Sequence, residues 1–365
     1  MKHRYDALLS RAWRCQDELQ TMALYEEAIV IADRYLTESD AHRARMDYTD
    51  KTVEYGFYDK MLVSFAWCWT KFVEHPERYS SFYMLWHFKW VVEDLPKCAI
   101  YSIEQLERLF ALFKEYCEKY NYSLRPYYEA YMHFRLGSGN LAEADEHYRL
   151  WRKAKRDGLS NCQACEQHAM GEYYIAKGHY KRGLQLLKPI LEGKLTCRSV
   201  PKSTYIIVME AHLALGQLEE AMKYAGKAYR SLKGVGDLGK YGKLIGFYAV
   251  TNRRRALKMY RETFRFARLN VNDWARLHYL AGVQFLLEQL GEDAKRRRKA
   301  SPAGLDYAWV RSEAERLAKA FDERNQNGYV SGRIEGLRRN FEKLKKLALA
   351  AETARRQAES GGTRS

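Results

Sequence analysis

The sequence predicts an all-α protein, a solenoid of roughly seven to eight helix-turn-helix pairs closed by a C-terminal capping helix. Three observations carry that expectation. Proline and glycine are scarce, 6 and 23 of 365 residues, in a chain rich in Ala, Leu, Glu, Lys and Arg, the residues of highest helix propensity. Residues 132–151, 171–190 and 209–228 align without gaps, each reading as a helix, a short turn carrying Gly, and a second helix with a small residue near its start. Those small residues, Ala144, Gly183 and Ala221, recur about every 38 positions. With 47% apolar and 14% aromatic residues, wholly disordered and collagen-like classes are excluded.

Taken in order, the elements fit one scheme. Tyr25-Glu26-Glu27-Ala28 and Gly56-Phe57-Tyr58-Asp59-Lys60-Met61 read as degenerate junctions between a turn and a second helix. Helices are expected over 82–93 and 103–120, separated by a loop that contains Pro96. The three clear repeats follow, with turns at Gly139, Gly178 and Gly216, and Arg255-Ala256-Leu257-Lys258-Met259-Tyr260 fits a further second helix. Residues 291–304, which include Pro302, read as an exposed basic insertion. A helix over 330–358 supplies the polar cap that a solenoid requires. The expected segments are 1–124 (degenerate helical repeats), 125–270 (clear repeats), 271–358 (helical pair, basic insertion and cap) and 359–365 (disordered tail).

The repeats resemble the tetratricopeptide repeat (TPR). Gly171 and Tyr174 match its first-helix Gly and Tyr, Gly178 and Gly216 its turn, and Ala221 and Ala228 its second-helix Ala positions. The resemblance implies a right-handed superhelix with a concave, ligand-binding face. The spacing exceeds the usual period of about 34, so longer loops between repeats are expected. Across 80–232, the runs Met84-Leu85-Trp86-His87-Phe88-Lys89-Trp90, 155–162 and 191–197 are similar to a group of TPR-like proteins of Gram-positive bacteria. That similarity implies the fold and a shared cysteine cluster. Where the group often carries a His beside the proline, this chain has Lys202 after Pro201, which puts a ligand there in doubt.

The cluster itself is Cys162-Gln163-Ala164-Cys165-Glu166-Gln167-His168, followed by Cys197. Two thiolates within one turn can occupy adjacent corners of a zinc tetrahedron. Cys162 and Cys165 fall where the first helix of a pair begins, and Cys197 in the loop that leaves its second helix. A hairpin brings those ends together. His168, one turn after Cys165, is the best fourth ligand in the sequence. A structural zinc is therefore expected, against two alternatives: ordinary buried thiols and a redox CxxC, which lacks its usual βαβ context.

Motifs for catalysis are absent: no GxxxxGK[ST], GxGxxG, HExxH or GxSxG is present, and His133, His147, His179 and His212 have no paired nucleophile. An enzyme is not expected. The leading expectation is a cytoplasmic bacterial adaptor or regulator that binds a protein or peptide in its concave face, through Glu129, His133, Glu172, Glu210, Tyr241 and Tyr248. Trp67, Trp69, Trp86, Trp90, Trp151, Tyr127 and Tyr128 read as core, with an aromatic groove lining as the alternative.

The formal charge is +16, and it is uneven. Residues 253–268 hold seven basic residues against Glu262, and 291–365 hold eighteen against eleven acidic ones. Two further classes therefore stay open. One is nucleic-acid binding through Arg253, Arg254, Arg255, Lys295, Arg296, Arg297, Arg298 and Lys299. The other is a zinc-dependent enzyme with an open coordination position. The N-terminus lacks an apolar run after its charges, and no stretch nears the roughly 18 apolar residues of a membrane span, so a cytoplasmic protein without a membrane segment is expected.

Overall fold

The computed structural model describes residues 1–296 and 304–361, with side chains to 291, from 307 to 354 and at 357. Among the described residues every regular element is a helix. The chain divides into two compact units. The first comprises residues 1–160, 234–236 and 269–273. It holds α1 (Lys2–Arg14), α2 (Glu18–Tyr35), α3 (Glu38–Tyr55), α4 (Tyr58–Glu74), α5 (Ser81–Asp94), α6 (Ile103–Lys119), α7 (Arg125–Ser138) and α8 (Leu141–Lys153). The second holds α9 (Gln163–Ala176), α10 (Tyr180–Leu191), α11 (Lys202–Ala214), α12 (Leu218–Ser231) and α13 (Leu238–Thr251). It continues with α14 (Arg253–Leu269), α15 (Asp273–Arg296), α16 (Gly304–Asn325) and α17 (Tyr329–Gly361). The helix expected over 330–358 is α17. It runs past residue 359, where a disordered tail was expected, and residues 362–365 lie outside the described residues.

The repeat has a physical signature in its turns. Gly56, Gly139, Gly178 and Gly216 all take left-handed backbone, with φ of 79°, 86°, 81° and 77°. After each, the next amide donates five residues back: Phe57 to Thr52 O, Asn140 to Arg135 O, His179 to Tyr174 O and Gln217 to His212 O, at 2.9–3.0 Å. This is the Schellman closure that ends a helix and turns the chain by using an orphan carbonyl. α3–α4, α7–α8, α9–α10 and α11–α12 are thus packed hairpins with the same turn chemistry.

Small residues then set how closely the hairpin arms approach. A Cβ on Gly183 of α10 would lie 2.9 Å from the Gly171 carbonyl oxygen of α9, and one on Gly171 would meet Leu187 at 2.4 Å. Ala144 and Ala221, at the equivalent places, are wholly buried. In the second unit α13 lies against α15 even more closely: a Cβ on Gly242 would fall 2.2 Å from Tyr279 Cα and 2.3 Å from His278 O. Phe341 of α17 fills the space above Gly246, and its ring lies 5.1 Å from that of Phe285. α17 packs on α11, α12, α13 and α16.

The core of the first unit is aromatic. Trp69 sets its edge against Phe88 and Tyr116, each at 4.6 Å between centroids, and Phe110 stacks on Phe134 at 5.4 Å. Trp151 is completely buried, while Trp67, Trp86 and Trp90 are half-buried.

Two histidines are held neutral by burial. In the first unit His42 stacks on Tyr79, and burial, followed by the charges of His87 and Arg45, lowers it to about 4. In the second, His278 is 7% exposed and donates from Nδ1 to Trp274 O at 2.8 Å. Burial, then Lys243 and Arg333, lowers it to about 3. An unfolded chain protonates both near pH 6.5, whereas the folded chain does not. The unfolded state therefore binds more protons below that pH, and stability falls as pH drops from 6.5 toward the folded values. At about pH 5 each histidine costs about 2 kcal/mol. The thermal midpoint is expected to fall between neutral pH and pH 5, and His278→Phe should remove roughly half of that fall. An unchanged slope in the variant would contradict the assignment.

Candidate metal centre

The site is assembled from two ends of one hairpin. α9 starts at Gln163 because Cys162 caps it: the Cys162 Sγ accepts the Cys165 amide at 3.4 Å, using one of the orphan donors of the first turn. Cys165 follows one turn inside the helix. At the other end Gly193 takes φ of 77° just after α10, and the loop then folds tightly, the Cys197 amide donating to Val200 O at 3.0 Å.

The three Sγ atoms lie within 4.8 Å of one another, Cys165 and Cys197 at 3.4 Å. A tetrahedral zinc with bonds of about 2.3 Å sets its sulfurs about 3.8 Å apart, so the group matches that requirement with only side-chain adjustment. Three thiols this close can hold a metal ion. Cys162 is exposed and the other two are half-buried.

Their protonation is uneven. Burial, reinforced by the neighbouring thiols Cys197 and Cys162, pushes the Cys165 thiol up. Burial also opposes ionisation of Cys197, but the amides of Ser199 and Val200 and the Cys165 thiol outweigh it and hold Cys197 below its usual range. The loop thus favours ionisation at Cys197, and a bound cation would draw protons from the thiols that ligate it. The other cysteines behave differently. Cys68, Cys98 and Cys117 are buried in the first unit, and burial pushes the Cys68 and Cys117 thiols up to about 12.

His168 does not join the three sulfurs among the described residues. Its Nδ1 lies 3.0 Å from Thr204 Oγ1 of α11, and its Nε2 is 4.0 Å from the Glu172 carboxylate. Lys202 is tied to Asp237 at 2.5 Å. Asp237 is 3% exposed and also accepts from the Lys233 amide and Lys240 Nζ, at 2.8 and 2.9 Å.

These links share a logic that the sequence alone did not reveal. Each hairpin has an open end, opposite its turn, where the first helix starts and the second has just finished. In α7–α8 that end is closed by Arg125, 5% exposed, whose Nη1 donates to Trp151 O at 2.9 Å and Ala154 O at 2.6 Å. In α11–α12 it is closed by Lys202 and Asp237. In α9–α10 the thiol triad occupies the corresponding place. A scan for chemically paired residues at the start of each first helix and the exit of each second helix would have found all three.

The residues expected to line a groove are distributed between the units. Glu129 and His133 sit on α7; Glu129 is 2% exposed and His133 half-buried. In the second unit Glu172 on α9 is half-exposed, whereas Glu210 on α11 pairs with Lys243 of α13 at 2.9 Å. Tyr241 is half-buried, and Tyr248 is buried against Tyr229. Of the expected basic residues, Arg254 is exposed and Arg253 half-buried, while the Arg255 guanidinium lies over Tyr229 and Tyr248 at 4.7 and 5.0 Å. Lys295 and Arg296 end α15; Arg297, Arg298 and Lys299 lie outside the described residues.

Fold and site together define an all-helical protein with a three-cysteine group that can hold a metal ion. Compared with known proteins, the chain matches no family and no curated protein. No described helix is long and apolar enough to cross a membrane.

Proposed function

We propose that this chain is a cytoplasmic protein- or peptide-binding adaptor, a TPR-like right-handed superhelical solenoid in which Cys162, Cys165 and Cys197 hold a structural zinc. The observation that carries the metal's role is its position. The hairpins before and after it in the chain close the same open end with an arginine on carbonyls and with a lysine–aspartate pair, which brace and do not react. Zinc, redox-inert and at home with thiolates, suits the same bracing task. The triad's thiols require a reducing compartment to stay available, in keeping with a cytoplasmic location.

The binding role draws support from the second unit. α11 packs against both α9 and α13. The half-exposed Glu172 and the part-buried Glu210 stand on α9 and α11. Glu210 is already paired with Lys243, and the Glu172 carboxylate favours a segment bearing Lys, Arg or a free amine. α17 already covers part of α11 and α13, donating from Lys343 Nζ to Ala214 O at 2.6 Å, so the segment would bind toward α9.

A random peptide library panned on the immobilised full chain tests this reading. Enrichment of basic peptides, weakened tenfold or more by Glu172→Lys, is the expected result. Equal enrichment on wild type and variant, or none on either, would contradict it.

A further inference from the structure

α14 carries a row of charge that its neighbours lack. Arg254, Lys258, Arg261, Arg265 and Arg268 are all exposed. They follow one another at steps of four, three, four and three residues, which places all five within an arc of about 80° on a helix of 3.6 residues per turn. The row is about 21 Å long. The opposite face is anchored: Ala256, Met259, Thr263 and Ala267 are buried, and Thr263 Oγ1 hydrogen-bonds Tyr279 OH at 3.0 Å. The five cations are therefore displayed from a fixed support.

Elsewhere on the second unit, exposed cations alternate with acids one turn away. Arg311 pairs with Glu315, Lys319 with Glu323 and Arg339 with Glu335. On α14 the one carboxylate nearby is Glu262, 3.9 Å from Lys258. Among the described residues Arg254, Arg261, Arg265 and Arg268 have no carboxylate partner. Such repulsion along one helix face is destabilising by itself. Beside the row, Phe264 and Trp309 meet edge to face at 5.7 Å, and the Arg268 guanidinium lies over them at 5.6 and 5.4 Å.

We propose that this face of α14 binds the phosphodiester backbone of a nucleic acid. Four of the five cations are arginines, whose planar fork matches a phosphate's oxygens. A duplex presents a phosphate every 3.4 Å or so along each strand, so a row of this length spans about six base pairs. A lipid surface fits less well, because the apolar face of α14 is buried in the core and cannot insert. The row lies within the basic stretch 253–268 that the sequence singled out, and of the residues named there for nucleic-acid binding Arg254 belongs to it, whereas Arg255 turns to Tyr229 and Tyr248. The inference is independent of the adaptor reading and of the metal.

The test is fluorescence polarisation of the full chain with a labelled mixed-sequence DNA duplex and a labelled oligothymidylate, between about 50 and 200 mM salt. Five phosphate contacts predict a log–log slope of about −4.5 on duplex or about −3.5 on single strand, which tells the two forms apart. Arg261→Gln/Arg265→Gln/Arg268→Gln, all at exposed positions, should reduce the duplex slope to about −1.8 with an unchanged helical spectrum. The exposed control Lys181→Gln/Arg182→Gln/Lys188→Gln on α10 should leave it unaltered. Three results overturn the proposal: no binding at the lowest salt, an equal loss in the control, or equally tight binding of polyglutamate, which would indicate an acidic protein partner.

Discussion

Gly242→Ala is expected to destabilise the second unit by about 3 kcal/mol or more, although alanine is the better helix former. The added Cβ would stand 2.2 Å from Tyr279 Cα and 2.3 Å from the His278 carbonyl oxygen. Both are backbone atoms, so no change of rotamer relieves the clash and α13 must move off α15. That movement would loosen Tyr279, Leu280, Val283 and Phe285, all essentially buried. The same contact is met from the other side, where a Cβ on Gly282 would approach Gly242 O to 1.8 Å.

A graded series makes the cause testable. Gly246→Ala meets only the Phe341 side chain and Gly239→Ala finds Ala275 Cα at 3.1 Å, so both should cost less. Gly332 of α17 is exposed with nothing within 4 Å of the new methyl, and Gly332→Ala should stabilise by up to about 1 kcal/mol. Chemical denaturation followed by circular dichroism reads all four. A Gly242→Ala protein as stable as wild type would mean that α13 and α15 do not touch.

Cys165→Ser is the second large effect expected. A bound zinc would tie the start of α9 to the loop after α10, and a ligand present at about 1,000 times its Kd contributes about 4 kcal/mol by mass action. The variant should lose about that much stability in zinc-containing buffer, and a chelator should bring wild type down to the variant's level. The chelator should not affect the variant. His168→Ala, by contrast, should keep the metal, since its ring faces Thr204 and Glu172.

Much of this architecture was legible in the residues. The glycines at 139, 178 and 216 predicted turns, and all three stand in turns on left-handed backbone that little else tolerates. The cysteine cluster was legible for the same local reason: a hairpin with known helix ends brings its two termini together, and Cys162, Cys165 and Cys197 do meet. The orientation of His168 was not legible, since its position one turn after Cys165 fixes which face it occupies but not that Thr204 of α11 lies within hydrogen-bond reach.

Long-range packing escaped in other ways. Gly239, Gly242 and Gly246 share one face of α13, a spacing that signals close approach but does not name α15 or Phe341 as the neighbours. Residues 234–236 and 269–273 belong with the first unit, through contacts such as the Val235 amide with Glu18 Oε2 at 2.7 Å and Asn272 Nδ2 with Tyr58 OH at 3.1 Å, and no local periodicity announces this. The total charge of +16 suggested a basic surface, yet only helical geometry picks out the aligned, exposed row on α14 and leaves out Arg255, half-buried over Tyr229 and Tyr248.

The metal content of the purified full-length chain tests the central claim most directly. Elemental analysis should find one zinc per chain, retained by His168→Ala and lost by Cys162→Ser, Cys165→Ser and Cys197→Ser, each loss accompanied by the same fall in stability. A chain without stoichiometric zinc, whose stability is indifferent to all three cysteine substitutions, would contradict the account and leave the thiols as ordinary residues at the open end of a hairpin.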